Sequence, residues 1–389
     1  ANMESSDDNS DFTDDTFEDS EEEVLKYYFF RGFTYEEILL FLAKRHHCTI
    51  SYSTLLRRLK KYGLMRRGVT NKDSFENTFL QVQRRIAELI NGPGSSMAYR
   101  AIWHALELEG IREMDPEGAE LRKRHRLKRR AYHNPGPNYS WHMDGYDKLK
   151  CWGFPIHGAI DGYSRRILWL RVTRSNNSPN QIASSYAGVV LEQGGCPVQL
   201  VTDLGTENGT AAALQSYFRD NSEAHRYVPS PRNQRIEGWW AYYARSHSQW
   251  WRNFFKDLES QGIVDTACEI NMECLWYCFH KLLQTELDLV KEHWNSHRIR
   301  KSRQDTIPGR PDSLYFLPQL HGSREYLFQL AAAEIGFASE NIIEDELAND
   351  HQEYFEYVRN NLSLSHPEDW EEALNMFRRL MNIAANGYD

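Results

Sequence analysis

The sequence predicts a multidomain chain in three parts: an all-α front of paired short helices, an α/β unit on a mixed sheet, and an α-helical C-terminal extension. Three changes of pattern carry this. Before residue 130 the apolar residues recur with a helical period behind repeated N-capping signals. After a Pro/Gly hinge at 133–138 they follow strand-like runs, and beyond about residue 260 helical periodicity returns. A chain of 389 residues leaves room for roughly two to four compact units.

Composition narrows the class. An apolar fraction of 41% with 13% aromatic residues is enough for real cores and excludes a largely disordered chain. No apolar stretch approaches the roughly 18 residues of a membrane span, and no secretory leader pattern opens the chain. A soluble, unsecreted protein with no membrane partner is expected. Ala1-Asn2 before Met3 reads as an expression scar. The 6 cysteines are sparse and unevenly spaced, as in reduced intracellular proteins. Cys268, Cys274, Cys278 and His280 suggest a zinc cluster at first sight, but Cys274 and Cys278 lie one helical turn apart in an aromatic segment. Core packing is the better reading.

The net charge of −9 conceals an uneven distribution. Residues 1–23 hold 11 acidic and no basic side chains, and residues 321–389 hold 14 acidic and 4 basic ones. The body between them carries a net charge of +12. A basic body with acidic ends suits a polyanion partner, although an unevenly solvated surface would look the same.

The elements follow in order. Residues 1–23 are read as an acidic disordered tail, and order begins near Val24. Thr34 and Glu37 form a capping box for a helix through Ile38, Leu39, Phe41 and Leu42. Ser51 caps the next helix, which faces Leu55, Leu56 and Leu59 inward and Arg57, Arg58, Lys60 and Lys61 outward before stopping at Gly63. Residues 24–68 thus read as a helix-turn-helix, with a plain helical hairpin as the rival. A second such unit spans 72–130, opening on Asp73-Ser74-Phe75-Glu76. It ends in a helix carrying Arg122, Lys123, Arg124, Arg126, Lys128, Arg129 and Arg130. That run exceeds what solubility needs; it suits phosphate contact, and also nuclear import. Residues 131–138 are the linker.

Then come three strands (139–149, 154–161 and 165–173), a helix from Ser178-Pro179 to Gln193, and a strand at 197–202. A helix at 206–219, a strand at 224–228 and a long helix opened by Ser230-Pro231 complete the unit. Three antiparallel strands followed by alternating helices and strands is the order of the ribonuclease-H-like fold, here assigned to 139–260. Residues 261–320 form its helical end, and 321–389 an acidic helical tail.

In this order three carboxylates fall at informative places. Asp144 is in the middle of the first strand, Asp203 at the carboxyl end of the fourth, and Glu237 two turns into the helix after Ser230-Pro231. Carboxylates brought that close raise one another's pKa, and divalent cations relieve the repulsion. Hard oxygen ligands select Mg²⁺ or Mn²⁺. Asp161 rivals Asp144, but at a strand end before Gly162 it reads as a turn residue. Glu207 reads as charge support for the helix after Asp203, and Trp141 and Trp169 as core.

Trp141-His142-Met143-Asp144, Thr202-Asp203-Leu204-Gly205-Thr206-Glu207 and Ser230-Pro231-Arg232-Asn233-Gln234-Arg235-Ile236-Glu237 resemble the three signature blocks of the retroviral-integrase-like DDE superfamily. The spacing of Asp203 and Glu237 is close to that family's. His293-Trp294-Asn295-Ser296-His297-Arg298 and Pro308-Gly309-Arg310-Pro311 resemble the end of the core in insertion-sequence transposases, which also carry tandem helix-turn-helix units. The resemblance covers residues 24–320. It departs in lacking the N-terminal zinc-binding His/Cys module of retroviral integrases, which points to a DNA transposon or a host gene derived from one. The acidic tail has no counterpart, and Gly238-Trp239-Trp240 after the glutamate is unusual.

The resemblance implies metal-dependent cleavage of DNA at a 3′ end, then attack of the freed 3′-hydroxyl on target DNA. Asp144, Asp203 and Glu237 would be the catalytic residues and would hold two Mg²⁺ or Mn²⁺ ions, Asp144 and Asp203 sharing one and Asp144 and Glu237 the other. Arg232 and Arg235 would lie near the scissile strand, with the other basic residues on DNA backbone. Double-stranded DNA and a homo-oligomer, dimer or tetramer, are the implied partners, with a nuclear location. The acidic tail is a candidate contact for a further protein. The rivals are a domesticated DNA-binding regulator or scaffold without catalysis, and a metal-dependent nuclease without strand transfer.

Overall fold

The computed structural model describes residues 20–64, 84–86, 88, 134–301, 307–340 and 349–386. The second helix-turn-helix therefore lies outside the described residues, apart from Arg84–Ile86 and Glu88, which are helical. The basic residues Arg122, Lys123, Arg124, Arg126, Lys128, Arg129 and Arg130 lie outside them as well.

At the front, α1 (Glu21–Phe30), α2 (Tyr35–Arg45) and α3 (Tyr52–Lys61) enclose one small core. Helix α1 starts just upstream of Val24, with Ser20 accepting from the Glu23 N–H as its cap. The capping box of α2 is present in full: Glu37 N–H donates to Thr34 Oγ1 at 3.2 Å, and Thr34 N–H donates to Glu37 Oε2 at 2.7 Å. Ser51 caps α3, and Gly63 supplies the positive φ beyond its end. Val24, Leu25, Phe29, Ile38, Phe41 and Leu55 meet inside. The unit rests on the central domain through Leu317, an Arg31–Glu292 ion pair at 2.8 Å and Lys44 donating to Phe316 O at 3.2 Å.

The centre is a five-stranded mixed sheet in the order β3-β2-β1-β5-β6. Strands β1 (Ser140–Tyr146), β2 (Ile156–Asp161) and β3 (Ile167–Val172) are antiparallel neighbours. Helix α4 (Pro179–Gln193) follows, capped by Ser178 and ended by Gly194 in the left-handed region. The short β4 (Gly195–Cys196) precedes β5 (Gln199–Thr202), which runs parallel to β1. After α5 (Gly209–Arg219), β6 (His225–Tyr227) adds in parallel to β5. Side chains alternate across β1. Trp141 and Met143 enter the core under α4 and α5, while Tyr146 enters the opposite one.

That opposite core is covered by α6 (Gln234–Tyr243), α7 (Gln249–Ser260) and the long α8 (Glu269–Ser296). It is largely aromatic, with Phe154, Trp239, Tyr243, Trp251, Phe255 and Phe279 nearly or wholly buried. Cys274 and Cys278 pack there as small apolar side chains. Helix α8 also closes the sheet edge. Gln284 accepts from Val172 N–H and donates to Leu170 O at 2.9 and 3.0 Å, and Asn295 does the same for Ile167 N–H and O at 2.8 and 3.0 Å. Two side-chain amides thus take the place of a neighbouring strand on β3 and block edge pairing.

The chain ends with α9 (Pro311–Phe316), β7 (Phe328–Gln329), α10 (Ala332–Glu340), α11 (Asp350–Asn361) and α12 (Trp370–Asn386). Strand β7 pairs with β4. Phe355 and Val358 of α11, with Met376, Phe377 and Leu380 of α12, join the same core as α8. The acidic extension is therefore packed on the central domain along these faces. Among the described residues no helix is long and apolar enough to cross a membrane.

Candidate active site

The parallel pairing of β1 with β5 sets the site. His142 lies opposite Val201, so the same register two residues further brings Asp203 level with Asp144. Asp203 follows the end of β5; its Oδ1 accepts from Gly205 N–H at 3.1 Å and from Asn208 Nδ2 at 2.9 Å. Asp144 Oδ1 accepts from the Gly145 N–H at 2.9 Å. Glu237 enters from α6 and accepts a hydrogen bond from the Ser230 hydroxyl. All three carboxylates line one open pocket of about 480 Å³.

The entry to α6 differs from the sequence expectation. Ser230–Arg232 form a separate 3₁₀ turn, and the α-helix starts at Gln234, which puts Glu237 in its first turn. Asn233 causes the break. Its Nδ2 donates to Met143 O at 3.0 Å, and its Oδ1 accepts from His142 Nδ1 at 2.8 Å. Because the amide nitrogen is committed to a carbonyl, the oxygen is the acceptor and His142 carries its proton on Nδ1. Burial lowers the His142 pKa to about 4 and keeps the ring neutral. One side chain thereby ties the Glu237 helix to the strand on both sides of Asp144's neighbour Met143. The helix then passes through a π turn, Ala244–Ser248, into α7.

The electrostatics follow. Burial, then the charges of Glu237 and Asp203, push the Asp144 pKa up to about 7, partly offset by the Gly145 N–H and by Trp240. Among the described residues no three His, Cys, Asp or Glu side chains are already gathered at metal-ligating distance. The three carboxylates line one pocket. Their hard oxygens, lining one pocket where Glu237 and Asp203 disfavour charge on the buried Asp144, fit a divalent cation.

Glu207 is a fourth carboxylate on the pocket. Its carboxylate lies against Gly205, where an added Cβ would meet Glu207 Oε1, so a side chain at 205 would turn Glu207 aside. The sequence reading had given Glu207 only a supporting role at a helix start. Lys148 and His157 also line the pocket, and neither was singled out from sequence. Trp169 Nε1 donates to His157 Nδ1 at 3.1 Å, which fixes the proton on Nε2.

Asp161 is a turn residue, as expected. Its buried carboxylate accepts from Asn138 N–H at 2.9 Å, Ser164 N–H at 2.8 Å and Ser164 Oγ at 2.6 Å. Trp141 and Trp169 are core. Of the basic residues, Arg57, Lys60 and Lys61 are exposed on α3, whereas Arg58 pairs with Glu21 at 2.6 Å. Arg232 is exposed and Arg235 partly buried; neither lines the pocket. Arg235 instead stands near His142 and Arg165, where its charge lowers both pKa values.

Residues 131–323 match the family model described as the integrase core domain. No curated protein matches the chain.

Proposed function

Residues 131–323 belong to the integrase core family, of the polynucleotidyl transferase type found in integrases and transposases, and on that premise we propose that the chain is a DDE transposase or integrase. It cuts DNA to leave a 3′-hydroxyl and joins that hydroxyl to target DNA. The observation that carries the proposal is the convergence of Asp144, Asp203 and Glu237 on one pocket from β1, the end of β5 and α6.

Asp144, Asp203 and Glu237 would hold Mg²⁺ or Mn²⁺. The bound cation supplies Lewis acidity toward the attacking and departing oxygens of the phosphodiester. The protein's own part is placement. Gly145 N–H orients Asp144, Gly205 N–H and Asn208 orient Asp203, and Ser230 holds Glu237. Asn233 fixes the Glu237 helix against β1. Lys148, on the rim, is placed to meet backbone phosphate. Arg57, Lys60 and Lys61 present a cationic face on α3 for duplex DNA, and the 122–130 run adds charge of the same sign.

Supercoiled plasmid incubated with the full chain tests the reading. Nicking in Mg²⁺ or Mn²⁺ that is lost in EDTA and in Asp203→Asn supports it. A second reading, a DNA-binding scaffold without turnover, draws on the carboxylates not being gathered and on Ser230 engaging Glu237. Equal DNA binding by both proteins with no nicking by either would move that reading ahead.

A further inference from the structure

Gly238-Trp239-Trp240 follows Glu237 directly on α6. In the fold Trp239 is a core residue, stacked on Tyr243 with ring centroids 5.5 Å apart. Trp240 is different. It lies three residues after Glu237 on α6, is only 4% exposed, and yet lines the carboxylate pocket. Its ring leans on Tyr146 with centroids 5.1 Å apart, and the Tyr146 hydroxyl is itself anchored by donating to Ser248 Oγ at 2.8 Å. The rim of the indole lies over Gly158, where an added Cβ would come 3.1 Å from Trp240 Cη2. Gly158 is the residue paired with Asp144 across β1 and β2. The indole is thus wedged on the sheet beside Asp144, in space left by a missing side chain.

Its polar atom is the anomaly. Among the described residues the buried Trp240 N–H makes no well-formed hydrogen bond, as is true also of Trp239 and Trp276, but Trp240 alone of the three lines the carboxylate pocket. Burying such a donor without an acceptor is costly, and native proteins seldom leave one so. Asp144 and Trp240 line the same pocket, and the indole sits over Gly158, the cross-strand neighbour of Asp144, so the N–H is within reach of that carboxylate. Carboxylates that ligate metals are ordinarily held by a hydrogen bond to their other oxygen. We propose that Trp240 is the positioning residue for Asp144, its indole N–H closing onto the carboxylate and fixing its orientation when a divalent cation binds. The proposal rests on the reading of Asp144 as a metal ligand. It explains why a bulky, costly donor occupies this place.

The test is Mn²⁺ binding to the full chain, followed by the EPR signal of free ion, for wild type, Trp240→Phe and Asp144→Asn, with thermal unfolding as the check on folding. Trp240→Phe keeps an aromatic ring and removes the donor; its Mn²⁺ affinity should fall about 10- to 100-fold. Wild-type affinity in a folded Trp240→Phe, with binding lost in Asp144→Asn, overturns the positioning role alone. Unchanged binding in Asp144→Asn overturns the metal reading beneath it. A second readout needs no variant: in the wild-type chain with ¹⁵N-labelled indoles, Mg²⁺ should shift one indole N–H resonance downfield and slow its exchange with solvent. Indole resonances indifferent to Mg²⁺ at saturation would overturn the proposal even if Trp240→Phe failed to fold.

Discussion

His142 and Asn233 are joined by a 2.8 Å hydrogen bond between residues 91 positions apart, and that contact holds the helix of Glu237 in register with the strand of Asp144. Asn233 spends both ends of its amide on β1, so the geometry of the pocket depends on a residue that carries no charge and does not line it.

Asn233→Ala should therefore damage the site more than the fold. It removes the hydrogen bonds that the Asn233 amide makes with His142 Nδ1 and Met143 O, a destabilisation of about 1–3 kcal/mol. DNA cleavage should fall at least about 10-fold, since small misplacements of catalytic groups are expensive. Chemical denaturation and cleavage rates measured side by side check this; normal cleavage in a destabilised protein would detach Asn233 from the site.

Asp144→Asn should stabilise the metal-free protein. The folded-state pKa of Asp144 is raised to about 7, so the folded protein binds a proton more tightly than the unfolded chain does. Its contribution to stability is present below the ordinary carboxylate value and is lost as pH rises toward 7. The asparagine variant should gain on the order of 1–3 kcal/mol above pH 7 and nothing near pH 4. Thermal unfolding across that range in EDTA is the check, and saturating Mg²⁺ should reverse the ranking.

Glu21→Gln should tighten DNA binding. Glu21 takes Arg58 at 2.6 Å and the Tyr62 hydroxyl at 3.0 Å, which neutralises one cation of α3. Releasing it should steepen the dependence of log affinity on log salt by about one phosphate's worth. An unchanged slope would mean that this end of α3 faces away from DNA.

Phe377→Ala should cost about 3–5 kcal/mol, because Phe377 is 1% exposed in the core shared with α8. Single-transition unfolding with a lowered midpoint is expected. Were the acidic extension an appendage, the central domain would unfold as in wild type.

Much of this was legible from sequence where the signal is local. The Thr34/Glu37 box and the Ser178-Pro179 start and Gly194 stop of α4 depend on neighbours in the chain. That Asp144 and Asp203 share a pocket could be expected because they fall at the middle of one strand and the end of another. The break before α6 was not legible: Ser-Pro is a good helix start, and only the tertiary pull of Met143 and His142 on Asn233 displaces it. Trp240 and Glu207 escaped for a related reason. An aromatic after a glutamate and a glutamate in a helix's first turn both have ordinary local explanations, and the pocket appears only when β1, β2 and α6 are assembled. The acidic extension showed its helices but not the face of α8 that receives them.

The central claim is best tested by joining a labelled oligonucleotide with a free 3′-hydroxyl to supercoiled plasmid in Mg²⁺ or Mn²⁺, with wild type beside Asp144→Asn, Asp203→Asn and Glu237→Gln. The account predicts labelled, covalently joined plasmid with wild type only, while all four proteins remain folded and bind DNA. Joining that survives in any of the three variants, or cutting without joining by the wild type, would contradict it.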